Sequence, residues 1–318
     1  MKSKILWTML ILAVVAGLAI SGPAMAAKGM AVGNGFSSLK DPAAAGEEAA
    51  KMAKKALGGD AKLVLVFDSA GKKPEDKAAM LKGITSVFKP KIVHGCSAYA
   101  PITQDCNTGT VGVLALGGDI KATVAVAEVD GDYEACGKKI GEGLKKCSKC
   151  PGDHLCILIG DCHVPKNDPL VKGVASVLEG VGIGGGAAMG GFVYNEGECI
   201  GRGKNMGILL CGKFKTSFSA KNAPGKEPEK VVAAAGEAAT CAIGKDKDKL
   251  KLVLAFDCGG RRGQMKDEVG KELGLIKDAA GKTPIFGFYG SGETGPKDND
   301  SPACGVGYHI IICAISGK

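Results

Sequence analysis

"AAAGEEAAKMAKKALGGDAKLVLVFDSAG", Ala43 to Gly71, returns near the far end of the chain as "AAAGEAATCAIGKDKDKLKLVLAFDCGG", Ala233 to Gly260. A weaker copy, "KKIGEGLKKCSKCPGDHLCILIGDCH", lies between them from Lys138 to His163. The acids that end each apolar run, Asp68, Asp161 and Asp257, fall at near-equal spacing. Self-similarity at a fixed interval marks one supersecondary unit used several times. The reading of this one stretch therefore sets the architecture of the whole chain.

Within the unit a helix precedes a strand. Asp41-Pro42 is a good helix start, with Asp as cap and Pro at the first helical position. Ala45, Ala49, Met52, Ala53 and Ala56 make its apolar side, with Glu48, Lys51 and Lys55 facing water. "KLVLVF" is apolar at every position, the pattern of a strand covered on both faces. "KKPEDKAAMLKGITSVF" then places Leu81, Ile84 and Phe88 at helical spacing, and "KIVHG" is the next strand. Strand, helix and strand in that length form a βαβ crossover. "VGVLALGG" closes the unit, and a Gly117–Asp119 turn into "IKATVAVAEV" reads as a hairpin that adds an antiparallel strand to the same sheet. "MGILLCGKFKTSFS" and "YHIIICAI" end the other copies. The expected fold is α/β: three similar βαβαββ-type units with mixed, largely parallel sheets, divided at about residues 29–117, 118–212 and 213–318.

Residues 1–26 are set aside. Lys2 and Lys4, the apolar Ile5–Ile20 and the small-x-small Ala24-Met25-Ala26 have the layout of a secretory leader. The apolar run falls short of the roughly 20 residues of a spanning helix. An exported chain is the expectation, periplasmic or secreted after cleavage near Ala26. The net charge of +8 is spread among mixed Lys-Asp and Lys-Glu stretches, the pattern of a solvated surface. Trp7 goes with the leader, and the other aromatics do not interleave with arginines, which argues against a nucleic-acid groove. Thirteen cysteines is a high and odd number, so an exported chain must keep at least one unpaired or bridged between chains. Cys156, Cys211 and Cys313 lie in apolar runs, where cysteine acts as a small hydrophobe.

Open α/β sheets place ligands beyond the carboxyl ends of their strands. Those loops are Asp68-Ser69, Asp161-Cys162-His163 and Asp257-Cys258, then "HGCSAYA" (His94–Ala100), "IGGGAAMGG" (Ile183–Gly191) and "FGFYGSGETG" (Phe286–Gly295). Their positions repeat while their polar content differs. The third copy alone joins Arg261 and Arg262 to Ser291 and Glu293. Arginine's planar fork matches a carboxylate, Gly259 and Gly260 let backbone N–H groups approach it, and Glu293 or Asp257 suits an ammonium. Tyr289 would form a wall, and Cys258, Cys96, Ser97 and Asp68 complete the candidate ligand-binding set. A surface Arg–Glu pair, contributing at most about 1 kcal/mol, is the plain alternative. Cys147 and Cys150 have CxxC spacing, yet no second CxxC or His pair makes a zinc signature. His94 beside Cys96 admits a nucleophile and its base. There is no Walker motif, and the glycine run lacks the acid of a dinucleotide fingerprint, so neither a nucleotide cofactor nor a metal is called for.

"LVLVFDS", "HGCSA", "LAFDCGGRR" and "PIFGFYGSGETGP" with "YHII" resemble the FIST sensory domain (F-box and intracellular signal transduction). The Phe-x-Cys-x-x-Arg and Gly-Phe-x-x-x-Gly-Glu segments of its C-terminal part fall on Phe256, Cys258, Arg261, Gly287, Phe288, Gly292 and Glu293. The resemblance implies an N-terminal FIST-like domain over residues 27–217, holding two units, and a C-terminal one over residues 218–318. It also implies a sensory module that binds a small ligand, amino acids among them, in concert with a signalling partner such as a membrane protein. It implies no catalytic residue. This chain differs in carrying a leader, in lacking an attached output domain and in its shorter C-terminal part. The expected function is that of an exported sensory protein for an amino acid or similar small carboxylate. A cysteine-dependent enzyme using Cys96 or Cys258, or a thiol redox protein using Cys147 and Cys150, is the alternative.

Overall fold

The computed structural model describes residues 29–146, 152–163, 165–223, 227–245, 247–299 and 301–318. The leader read over residues 1–26 and the Cys147/Cys150 pair lie outside these described residues. From Leu63 to Phe67 every residue is buried, as an apolar run covered on both faces demands. That strand, β2 (Ala61–Asp68), follows β1 (Met30–Ser37) and α1 (Pro42–Leu57), and leads through α2 (Pro74–Thr85) to β3 (Val93–Ser97), β4 (Ala100–Thr103) and β5 (Val111–Gly118). The second unit runs β6 (Ile120–Glu128), α3 (Tyr133–Lys145), β7 (Asp153–Gly160), α4 (Asn167–Val177), β8 (Gly182–Ala187), β9 (Val193–Asn195), β10 (Glu198–Gly201) and β11 (Lys204–Gly212). The third runs β12 (Phe214–Asn222), α5 (Pro228–Ile243), β13 (Leu250–Cys258), α6 (Gly259–Met265), α7 (Val269–Ala280), β14 (Ile285–Gly290), β15 (Glu293–Pro296), β16 (Ala303–Val306) and β17 (His309–Gly317).

Each unit builds the same four-stranded order: β1-β5-β2-β3, β6-β11-β7-β8 and β12-β17-β13-β14. The α/β class with three similar units and mixed sheets is therefore the one observed. The parallel share is smaller than expected: β2–β3, β7–β8 and β13–β14 are parallel, and the remaining pairs are antiparallel. The units also exchange strands. β9 and β10 of the second unit extend the first sheet, β15 and β16 of the third extend the second, and β4 of the first extends the third. The exchange is cyclic, so each sheet is completed by a neighbour.

The inner faces of the three sheets meet in one apolar core that includes Leu65, Phe67, Ile157, Ile159, Leu254 and Phe256. Phe67 lies 4.3 Å from Phe288 and 5.2 Å from Phe286 between ring centroids, so side chains fill the middle. The helices cover the outer faces in three separate apolar layers. Asp41 caps α1 as read, its carboxylate accepting from Ala44 N at 2.8 Å. Met52 and Ala56, however, are exposed, and α1 buries Ala45, Gly46, Ala49, Ala50, Ala53 and Leu57. The face is turned by α2, which packs so closely that a Cβ on Gly46 would lie 2.2 Å from Met80 O.

Two expectations drawn from the repeat need correction. β5 and β6 form no hairpin, because β5 is already paired on both edges by β1 and β2. The Gly117–Asp119 turn instead carries the chain into the second sheet, where β6 pairs with β11. Nor is Asp161 the counterpart of Asp68 and Asp257. Phe67, Ile159 and Phe256 stand opposite Cys96, Gly186 and Phe288 in the three parallel pairs, so Gly160 takes the place of the two acids. Asp161, one residue on, leaves the strand and binds Gly203 N at 2.7 Å. Cys156 and Cys313 are fully buried in strands as read, whereas Cys211 is disulfide-bonded.

Candidate functional site

The three glycine-bearing loops that follow β3, β8 and β14 do meet. Ser97 N donates to Phe192 O at 2.9 Å and its hydroxyl to Met189 O. Ala187 N donates to Gly292 O at 2.7 Å, and Ser291 N to Ala187 O at 2.9 Å. Tyr99 N donates to Tyr289 O at 2.9 Å. The loops thus bond one another in a closed ring. Beneath it Cys96, Ala98 and Ala188 join the apolar core, so side chains fill the space under the ring. Cys96 and Ser97 are fully buried, and burial, then the nearby Asp68 charge, push the Cys96 thiol well above its usual range. His94 is not its base: His94 Nδ1 is 3.0 Å from Asn195 Oδ1.

Off the axis, each acid that ends a strand is bound from within the protein. Asp68 accepts from Lys77 Nζ at 2.6 Å, Ala70 N at 2.9 Å and the Tyr194 hydroxyl at 2.5 Å. Asp68 and Lys77 are both fully buried. Burial raises the Asp68 carboxyl, and Lys77 chiefly opposes the rise. The network has its partners, so Asp68 ties β2 to α2 and β9 within the protein.

At the end of β13 the same location is built differently. Arg261, also fully buried, donates Nε to Asp257 at 2.7 Å, and Nη2 to Glu272 at 3.0 Å and Val231 O at 3.0 Å. Tyr289 donates its hydroxyl to Glu272 at 2.6 Å and accepts from Asn107 at 3.0 Å. Burial first, then Asp257, holds the Glu272 carboxyl well above the carboxylate range, against the pull of Arg261. Burial opposes the charge on Arg261, but the carboxylates of Asp257 and Glu272 outweigh it and the guanidinium stays charged. Arg261 is thus an internal cross-link between β13, α5 and α7. It is not the free fork that the sequence offered for a carboxylate, and Tyr289 is buried behind it rather than lining a wall.

The neighbouring side chains are less committed. Arg262, half-buried, lies over the Tyr289 ring at 5.5 Å, and its Nε has no protein partner. Glu293 is 1% exposed; Oε2 accepts from His309 N at 3.1 Å, while Oε1 is unpartnered. Asp257 Oδ2 and Arg261 Nη1 are likewise buried and unpartnered. Buried polar atoms are nearly always satisfied by protein or water, and these four, on Asp257, Arg261, Arg262 and Glu293, lack a protein partner. Cys258 stands among them, 4% exposed. Two tyrosines cover the turn beside it. A Cβ on Gly259 would lie 2.3 Å from the Tyr99 ring, and one on Gly260 3.1 Å from the Tyr308 ring. Both rings are about half exposed, at 48% and 51%. Tyr308 holds φ at 58°, a left-handed value that is costly for a bulky residue. A surface groove of about 590 Å³ lies away from this turn, between α5 and α7.

Of the candidate residues, the structure gathers Asp257, Cys258, Arg261, Arg262, Tyr289 and Glu293, while Asp68, Cys96 and Ser97 lie in the first unit and Ser291 serves the loop ring. Glu272, Asn107, Tyr99, Tyr308 and His309 were missed. Tyr99 sits inside "HGCSAYA" and so was in view. Glu272 is one acid on a charged helix, and nothing local distinguishes it. Among the described residues no group of His, Cys, Asp and Glu is arranged to hold a metal ion.

The chain matches the FIST N domain over residues 62–237 and the FIST C domain over residues 225–296. No curated protein matches it. Among solved structures it is similar to a cyanuric acid hydrolase described as an evolutionary innovation by structural concatenation, at 10% identity and TM-score 0.47, covering 91% of this chain and 100% of that one. The cyanuric acid hydrolase of A. caulinodans gives the same identity and TM-score, over 91% and 99% of the two chains. A chorismatase gives 9% identity and TM-score 0.41 over 91% and 99%.

Proposed function

Because this chain belongs to the FIST family, whose domains are sensory modules for small ligands, we propose that it is an exported sensory protein for an amino acid or similar small carboxylate. The observation that supports this is the set of unpartnered polar atoms at the end of β13 and the start of β15. Arg262 is the cation for the ligand carboxylate, since Arg261 is held by Asp257 and Glu272. Glu293, through its free Oε1, takes the ammonium. Tyr99 and Tyr308 cover the ligand. Export rests on the leader-like residues 1–26, and a membrane signalling protein is the natural listener for such a sensor.

Thermal-shift titration of the mature protein with the common amino acids tests the binding reading. One or more should raise the melting temperature, and Arg262→Ala should abolish the shift while leaving the unliganded melt in place. A shift that survives Arg262→Ala, or no shift with any amino acid or small carboxylate, removes the assignment. Export is tested separately by N-terminal sequencing of the protein recovered outside the cytoplasm, with a start near Ala27 expected.

A further inference from the structure

A groove of about 620 Å³ lies where the first and second units meet, at the start of β2 and so at the opposite end of the strands from the glycine loops. Its walls are the first residues of β2, the turn before β3, and the first residues of β6 with β11 beside them. Each of the first three walls supplies one exposed lysine: Lys62, Lys89 and Lys121. Among the described residues none of the three forms an ion pair and no acid lines the groove. Asp60 and Asp119 adjoin the lining segments in sequence but stand outside it. Like charges gathered round one concavity raise its potential and draw anions to it. The scaffold does not impose this charge. At the junction of the second and third units a groove of about 540 Å³ is lined by Gly182, Thr216, Ser217 and Phe218, among others, and by no charged side chain.

The same groove runs along an open sheet edge. β6 is the last strand of its sheet; it pairs with β11 and has no strand on its other side. Residues 120–123 of β6, four in a row, line the groove. An edge strand presents N–H and C=O groups that lack partners. A bare anion satisfies only the donors, whereas another extended backbone satisfies donors and acceptors together. A second copy pairing through this edge would bring its own lysines against these, and like charges facing across strands oppose pairing.

We propose that this groove docks an extended, acidic segment of a partner protein, which adds as a strand beside β6 and sets its carboxylates against Lys62, Lys89 and Lys121. Ile92, half-buried in the wall, receives the apolar side chains between the acids. The site shares no residue with the turn after β13, so it stands or falls apart from the small-ligand reading.

The probe is a synthetic peptide alternating glutamate and valine, followed by fluorescence anisotropy with the whole protein. Its controls are a lysine–valine peptide of the same length, the acidic peptide with N-methylated backbone, and pyrophosphate. The acidic peptide should bind, more weakly as salt is added, and should slow hydrogen exchange over residues 120–123. Lys62→Glu with Lys89→Glu and Lys121→Glu should weaken binding at least about tenfold. Lys215→Glu, at an exposed lysine of β12 outside the groove, should leave it within about twofold. Should the triple variant not fold, Lys89→Glu alone is read, with a weakening of about threefold or more expected. No binding, equal binding of the lysine–valine peptide, or a triple variant no weaker than Lys215→Glu overturns the proposal. If the N-methylated peptide binds as well as the unmethylated one and pyrophosphate displaces both, the groove takes anions without strand addition and the proposal falls. A wild-type dimer that the peptide dissociates would give the edge to a second copy, which overturns it as well.

Discussion

Lys77 and Arg261 occupy comparable places in the first and third units and answer the same problem, a buried aspartate at a strand end. Lysine is a point charge, so Lys77 serves one carboxylate and one carbonyl, Ala70 O at 2.9 Å. Arginine's planar fork lets Arg261 bridge two carboxylates and a carbonyl,. Lys77→Ala removes the cation from buried Asp68 and leaves it only Ala70 N and the Tyr194 hydroxyl, a loss of about 3–5 kcal/mol by urea denaturation. A loss below about 1 kcal/mol would mean that the pair is far better hydrated than its burial implies. Lys77 was legible only as a charge on a helix, because nothing in "PEDKAAM" says which lysine turns inward. Residue-scale titration follows the same burial. Burial lowers His94 and His309 below their usual 6.5. Below that value the unfolded chain takes up the protons first, so this stability is full above pH 6.5 and is lost as pH falls through the folded values. His94→Asn with His309→Asn should flatten the acid limb of a urea-stability profile, and an unchanged limb would refute the assignment.

At the scale of elements, the apolar runs named the strands and the repeat named their order, since both are local signals. The pairing of strands was hidden, since β4, β9 and β15 find partners in other units that no local pattern announces. Glycines carried more than was read from them. Gly95, Gly185 and Gly287 sit at one position in three units, where a Cβ would come within 1.8, 1.9 and 1.7 Å of the neighbouring strand's carbonyl oxygen. The α1–α2 contact depends on Gly83 in the same way, because a Cβ there would lie 2.1 Å from Ala43 O. Gly83→Ala should therefore destabilise by roughly 1–3 kcal/mol through overpacking. Gly270→Ala, in α7 with nothing within 4 Å of its Cβ, should instead stabilise by up to about 1 kcal/mol through helix propensity. Paired melts of the two variants check the sign. Equal shifts in one direction would show that helix propensity, rather than the packed contact, governs Gly83.

For the whole molecule, cyclic strand exchange makes each unit incomplete by itself. A fragment covering residues 213–318 keeps the order β12-β17-β13-β14 but lacks β4 on the edge of β14. It also leaves β15 without β8, its partner through Glu293 and Thr294. Both faces of its sheet are apolar, one toward α5 and α7 and one toward the shared core, so separation exposes a sheet face that water disfavours. Asn107 leaves with the first unit as well, removing a partner of the Tyr289 hydroxyl. The fragment should therefore fail to give a cooperative melt as a monomer, whereas the whole chain melts in one transition with the candidate site intact. Size-exclusion chromatography with calorimetry decides it. A monomeric fragment that melts cooperatively would show that the exchanged strands decorate three independent domains, and the site would then belong to the third unit alone rather than to its junction with the first.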